Sequence, residues 1–176
     1  MAQAGVVPTL ATPSEAIRAF EEDLPKALNG RTLEEAGWRR LDDLTLLVPV
    51  HGIAADGVTE PYFVRLGFAY YPDWPPSVQF VNPDTLCYAK EDKCWLPKID
   101  GCNEIQVHPA YEFENQVIQL VCSSVTLEFY IIKHNVEPTF VWDSNKQNFS
   151  AALNQIEWAL RSNFYKGRQD VLPTRK

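Results

Sequence analysis

The sequence has no cluster of basic residues, no long apolar run and no export signal. Its 16 Lys and Arg residues are scattered along 176 positions, and the formal net charge is −7. Phosphate binding needs clustered positive charge, so we expect no nucleic-acid partner. No apolar run approaches the roughly 18 residues that span a bilayer, and residues 1–11 lack the pattern of a secretory signal. The sequence therefore predicts a cytoplasmic protein with no membrane partner.

Disulfides are also not expected, although the chain has four cysteines, Cys87, Cys94, Cys102 and Cys122. Without an export signal the thiols should stay reduced. Reduced thiols leave two chemical uses open, which are metal binding and nucleophilic chemistry.

The composition is that of one folded domain. Hydrophobic residues make up 45% and charged residues 22% of the chain, far from the low-hydrophobicity composition of disordered segments. With no internal repeat or linker, we expect a single domain over residues 1–176, with its core at about residues 12–166.

An N-terminal helix is predicted to begin after Thr12. This residue can cap the helix, Pro13 suits the first helical position, and Glu15 completes a capping box. Pro25 should kink or end the helix near Leu24, because proline cannot donate the helical hydrogen bond, and Asn29-Gly30 should stop it.

Alternating apolar residues predict an antiparallel meander after this helix. The alternation runs through residues 41–53 and 62–70, and a short β-rich run follows at 77–81. Residues 84–104 show no period and are interpreted as a long loop or insertion. Further short strands are expected at 105–107 and within 117–130, and an irregular segment at 136–140.

The C-terminal part predicts a closing amphipathic helix. A second capping box at 144–147 precedes an apolar stripe, and the helix is expected to close with Arg161, Lys166 and Arg168. The predicted class is α+β, with an N-terminal helix, an antiparallel β-meander, a long irregular region and a C-terminal helix.

One proline-rich segment resembles a known family. Residues 71–83 read Tyr-Pro-x-x-Pro-Pro-x-Val-x-Phe-x-x-Pro, which resembles the strand, proline turn and strand of ubiquitin-conjugating enzymes and their RWD-type relatives. His108-Pro109, Cys122, Trp142 and the closing helix follow in that family's order. The resemblance implies a ubiquitin-conjugating-like fold.

The chain departs from the eukaryotic pattern at two points. Ala110 stands where the family has an asparagine that supports the oxyanion, and 14 positions lead from His108 to Cys122, a longer interval than in the family. The sequence looks more like divergent bacterial relatives, which the family implies are encoded with a ubiquitin-like protein, an activating enzyme and a deconjugating protease. Antiviral defence is an expectation from those relatives.

The resemblance implies that Cys122 carries a ubiquitin-like C-terminus as a thioester and passes it to a target nucleophile. His108 is implied to orient the active-site loop. The expected partners are a ubiquitin-like protein, an activating enzyme and a target protein, and no cofactor or metal is expected. Cys122 can equally be a small buried residue of a strand, since free cysteine is among the most buried residue types.

Two other functions stay open. An inactive conjugating-enzyme variant or RWD-type module would bind a ubiquitin-like protein without chemistry, which would explain the missing asparagine. A zinc-binding protein would use Cys87, Cys94, Cys102 and His108 as four ligands, although their spacing is wider than structural zinc sites normally have.

Overall fold

The computed structural model describes residues 7–132 and 141–172 as a mixed α+β fold. The predicted irregular segment at 136–140 lies outside the described residues. Four helices occur in the described part of the chain, at Pro13–Leu28 (α1), Leu33–Ala36 (α2), Leu127–Ile131 (α3) and Ser150–Arg161 (α4). Its strands are Arg39–Asp42 (β1), Thr45–Ile53 (β2), Thr59–Gly67 (β3), Ser77–Phe80 (β4), Pro97–Ile99 (β5), Gln106–Phe113 (β6), Gln116–Cys122 (β7) and Tyr165–Arg168 (β8).

The helix α1 begins as the sequence predicts. Thr12 and Glu15 form the capping box, and Pro13 occupies the first turn. The helix does not end near Leu24 but continues through Pro25 to Leu28, and the predicted stop at Asn29-Gly30 is confirmed, with Asn29 as the left-handed cap. Its buried face packs into the core, and this packing outweighs the hydrogen bond that Pro25 cannot donate.

A four-stranded antiparallel sheet in the order β1-β2-β3-β4 follows α1. The inner face carries fully buried side chains at alternate positions of β2, β3 and β4, including Leu46, Tyr62, Leu66 and Phe80. The strand predicted at 62–70 ends at Gly67, because the chain then turns back, with the Tyr71 N–H donating to the Phe68 carbonyl.

Aromatic side chains hold α1 and α4 against the sheet. The rings of Phe20 and Phe68 stack with their centroids 4.3 Å apart, and Phe149 meets Phe68 edge to face at 5.1 Å. Tyr71 of the proline turn lies between Phe68 and Trp142 and donates its hydroxyl to Asp23 of α1. The proline turn is thus part of the core.

The remaining strands form two separate pairs, a β6–β7 hairpin and a β5–β8 pair. Side chains attach them to the main sheet. The amide of Gln119 on β7 donates to the Phe80 carbonyl at 2.8 Å and accepts from the Phe80 N–H at 2.7 Å. Tyr165 of β8 hydrogen-bonds the Tyr62 hydroxyl and donates to the Glu60 carboxylate. These contacts replace a continuous backbone ladder.

Two further expectations need correction at the C-terminal end. Residues 144–147 form a turn, and α4 begins at Ser150 without a side-chain cap. The helix closes at Arg161, whereas Lys166 and Arg168 belong to β8. Arg168 lies in this strand because its side chain stacks over Tyr62 and pairs with Glu60, contacts that no helical pattern reveals.

The segment 84–104 is a long connection, as expected, but it contains a 3₁₀ turn at Lys93–Trp95 and the strand β5. The short strand expected at 105–107 extends over all of β6. Within 117–130 a β-strand is present, although residues from Leu127 onward are helical. No helix of the described residues is long and apolar enough to cross a membrane.

Candidate functional site

The β6–β7 hairpin brings the two predicted site residues to one face. Gln106 lies opposite Cys122 and His108 lies opposite Leu120 in the antiparallel register. Since opposite residues and alternate residues share a face, His108 and Cys122 are diagonal neighbours, about 7–8 Å apart for such a pair. The extra residues between them, which lengthen the interval in the sequence, form the distal part of the hairpin.

The thiol of Cys122 lies at the last position of β7 and is partly exposed. Burial raises the pKa of this thiol above its ordinary value. A catalytic thiolate normally has a lowered pKa, produced by a cation or a helix N-terminus nearby. The raised pKa of the partly exposed Cys122 thiol is opposite in direction to the shift of such a catalytic thiolate.

The His108-Pro109 segment is fixed by the long 84–104 connection. The hydroxyl of Tyr88 donates to the Pro109 carbonyl at 2.7 Å, and the register of the hairpin shifts between His108 and Tyr111. The rings of His108 and Tyr111 have their centroids 6.0 Å apart. Ala110 is exposed within this irregular stretch, so the position that resembles the family's asparagine faces solvent.

The loop after Cys122 is tied to the proline turn. Tyr130 donates its hydroxyl to the Ser124 carbonyl at 2.7 Å and accepts from the Trp142 N–H at 2.8 Å. The indole N–H of Trp142 donates to the Pro72 carbonyl at 2.9 Å. This chain of hydrogen bonds joins three features that sequence reasoning singled out separately: the proline turn, the tryptophan and the cysteine.

Thr126 lies in the same loop. Its buried hydroxyl is within hydrogen-bond distance of the Val121 and Ser123 carbonyls, at 2.7 and 2.9 Å, and donates to them. Such local side-chain bonds fix the backbone where a regular strand ends. These contacts support the backbone on both sides of Cys122.

The zinc hypothesis is not supported by the geometry. No group of three His, Cys, Asp or Glu side chains in the described residues could hold a metal ion. Cys94 and Cys102 are buried singly, Cys87 is exposed, and His108 lies on the hairpin. Cys102 instead donates its thiol to Glu104 at 3.2 Å.

Sequence reasoning missed Glu128, whose carboxyl accepts from the Ser77 hydroxyl and from the Val78 N–H at 3.1 Å. Burial raises the pKa of this carboxyl to about 7, although both hydrogen bonds oppose the shift. Glu128 is the one charged residue in the run from Val125 to Ile132. A lone acid in an apolar run is a signal that could have marked this position.

A comparison with known proteins does not assign the chain to a family. No family model, no curated protein and no solved structure matches it.

Proposed function

We propose that the chain is a ubiquitin-conjugating-type domain that carries a ubiquitin-like protein as a thioester on Cys122. The observation that supports this most is the shared face of the β6–β7 hairpin, where His108 and a partly exposed Cys122 are diagonal neighbours. The hydrogen-bonded connection from Pro72 through Trp142 and Tyr130 to Ser124 adds support, because it links the family-like motif to the loop beside the thiol.

The chemistry would be acyl transfer in two steps. The Cys122 thiolate attacks the thioester carbonyl on the activating enzyme, and that enzyme's cysteine leaves as a thiolate. An amine of the target then attacks the new thioester, loses a proton and expels the Cys122 thiolate. Burial raises the pKa of the Cys122 thiol, so a cation or dipole brought by the docked partner would help to form the thiolate.

His108 acts in this scheme as a positioning residue. Its neighbour Pro109 is held by Tyr88, so the ring is presented from a fixed backbone. Ala110 supplies no side-chain donor to the oxyanion, and backbone N–H groups of the loop after Cys122 would have to do so.

A non-catalytic binding module is the second candidate, and the burial-raised pKa of Cys122 is the observation that favours it. In that function the same fold would bind a ubiquitin-like protein, and Cys122 would only fill space at the end of β7. The two candidates differ in one measurable property, which is the formation of a covalent adduct.

The test combines the protein with ATP and with an activating enzyme and a ubiquitin-like protein from the same source organism. We expect an adduct on a non-reducing gel that thiol reductant removes. Cys122→Ser should convert it to a reductant-resistant oxyester, and Cys122→Ala should abolish it.

Cys87→Ala is the matched control, because Cys87 is the exposed cysteine of the chain and lies in the 84–104 connection. This variant should form the adduct normally. An adduct that persists in Cys122→Ala contradicts the assignment of the site. Reversible binding of the ubiquitin-like protein without any adduct identifies the binding module.

A further inference from the structure

A cavity of about 420 Å³ lies on the outer face of the four-stranded sheet, away from the face that packs on α1. Its walls come from the beginning of β2, the end of β3, β4 and the connection after β4. Gln119 also lines it, and since Gln119 and Cys122 point to opposite faces of β7, the cavity is separate from the thiol. Its polar lining includes Asp42, Thr45, Arg65, Ser77, Gln79 and Glu128.

Arg65 is the cation of this cavity. Its guanidinium is half-buried and donates to two neutral acceptors, the Leu86 carbonyl at 3.3 Å and the Gln79 amide oxygen at 3.1 Å. Two of its five N–H groups are used in this way. Among the described residues, no carboxylate lies within ion-pair distance of this guanidinium.

A half-buried charge without a counter-ion favours an anion that enters the cavity. The Gln79 amide accepts through its oxygen, which leaves its NH₂ group as a further donor beside Arg65. The acidic groups of the lining, Asp42 and Glu128, disfavour a highly charged anion. These two constraints together select an anion of low charge.

The rim of the cavity is organised before any ligand enters. The connection after β4 folds back on itself, with the Leu86 N–H donating to the Asn82 carbonyl at 2.8 Å and the Asn82 N–H donating to the Cys87 carbonyl at 2.9 Å. Leu86 has a φ of 58°, a strained conformation for a residue with a side chain. The Arg65 contact to its carbonyl helps to keep this conformation.

We propose that this cavity binds a small organic carboxylate, with the carboxylate group paired to Arg65. A volume of this size belongs to small-molecule sites, which combine concave shape with a few convergent polar groups. Gly67 leaves the cavity open, because it has no side chain where it lines the wall.

The test is calorimetric titration of the full chain with benzoate and butyrate, with benzamide and inorganic phosphate as matched probes. We expect at least one carboxylate to bind with a Kd below about 1 mM and benzamide not to bind. Arg65→Gln should weaken the binding by about tenfold to a hundredfold, as expected for a lost hydrogen bond to a charged group. Arg161→Gln, on the exposed side of α4, should bind like the wild type.

A second variant keeps the test informative if Arg65→Gln fails to fold. A Cβ at Gly67 would meet Ser77 at the ordinary distance of 3.5 Å, so Gly67→Leu should fill the cavity without backbone strain and block binding. The proposal is overturned if neither carboxylate binds with a Kd below about 1 mM, or if phosphate binds more tightly than both carboxylates. It is also overturned if Arg65→Gln or Gly67→Leu is folded by circular dichroism and binds the carboxylate as tightly as the wild type does.

Discussion

The sheet region, residues 13–80, and the hairpin region, residues 82–132 and 141–172, are assembled by different kinds of contact. In the sheet region the strands pair through a continuous antiparallel backbone ladder, and α1 packs on one face. In the hairpin region short strand pairs reach the sheet mainly through side chains. The sheet region follows from local sequence patterns, whereas the position of the hairpin region depends on individual long-range hydrogen bonds.

The free edge of β4 shows how the two regions meet. The N–H of Val78 donates to the Glu128 carboxyl, and the N–H and carbonyl of Phe80 pair with the Gln119 amide. A sheet edge exposes unpaired backbone groups that must find partners when they are buried. Here two side chains take the place of a fifth strand.

The largest expected effect is that of Gln119→Leu, which removes the link between β4 and β7. It would leave the buried N–H and carbonyl of Phe80 unpaired, at a cost of about 1–3 kcal/mol for each group. We expect the free energy of unfolding, measured by urea denaturation, to fall by about 2–6 kcal/mol.

Gln116→Leu is the matched control, because Gln116 begins the same strand and is exposed. It should change the stability by less than about 0.5 kcal/mol. If Gln119→Leu changed the stability as little as Gln116→Leu, the side-chain contacts would not attach the hairpin region to the sheet. The contrast between the two regions would then be wrong.

The second prediction concerns the pH dependence of stability, to which Glu128 contributes. Burial raises its pKa from 4.5 to about 7, so the folded state holds this proton more tightly than the unfolded state. The contribution of the protonated Glu128 carboxyl to the free energy of unfolding is fully present below pH 4.5 and is lost as the pH rises through about 7. The loss amounts to about 3 kcal/mol for a shift of this size.

Glu128→Gln should remove this dependence, because an amide has no proton to lose and its oxygen can still accept from Ser77 and Val78. The measurement is urea denaturation at several pH values between about 5 and 8, with the variant compared to the wild type at each pH. A constant difference across this range would show that Glu128 stays ionised in the folded protein.

The sheet region could be predicted from sequence because each of its elements has a local signal. Thr12 and Glu15 mark the start of α1, and the alternation of apolar residues marks β2 and β3. The predicted stop at Asn29-Gly30 is also local, since Asn29 caps α1 in the left-handed conformation. Pro25 does not end the helix, because the buried face of α1 packs into the core on both sides of it.

The hairpin region could be predicted only in part. Short strands were predicted at 105–107 and within 117–130, but their pairing into the hairpin that carries His108 and Cys122 was not. No local pattern shows that Gln119 pairs with Phe80 or that Arg168 stacks on Tyr62. These partners are tens of residues apart in the sequence. The same limit hid the cavity, since its lining comes from six separate segments.

A smaller effect is expected at the contact between Gly52 of β2 and Tyr165 of β8. A Cβ at Gly52 would lie 2.4 Å from the Tyr165 ring, which is held in place by Tyr62 and Glu60. Gly52→Ala should therefore cost about 1–3 kcal/mol through overpacking, as measured by thermal or urea denaturation.

Gly67→Ala provides the comparison, because its Cβ would meet Ser77 at 3.5 Å and the backbone there needs no glycine. Its effect should stay within about 0.5 kcal/mol. If Gly52→Ala and Gly67→Ala lower the free energy of unfolding equally, β8 can move away from β2 without loss of stability. The hairpin region would then be only loosely attached at this end.

The smallest predicted effect lies within the sheet region, at the cap of α1. The Thr12 side chain accepts from the Glu15 N–H, and Thr12→Ala should lower the free energy of unfolding by about 1 kcal/mol, whereas Thr12→Ser should keep the cap. The lost cap is local to one helix end. Gln119→Leu instead breaks a contact between distant segments, so its measured effect should exceed that of Thr12→Ala if long-range side-chain contacts hold the hairpin region.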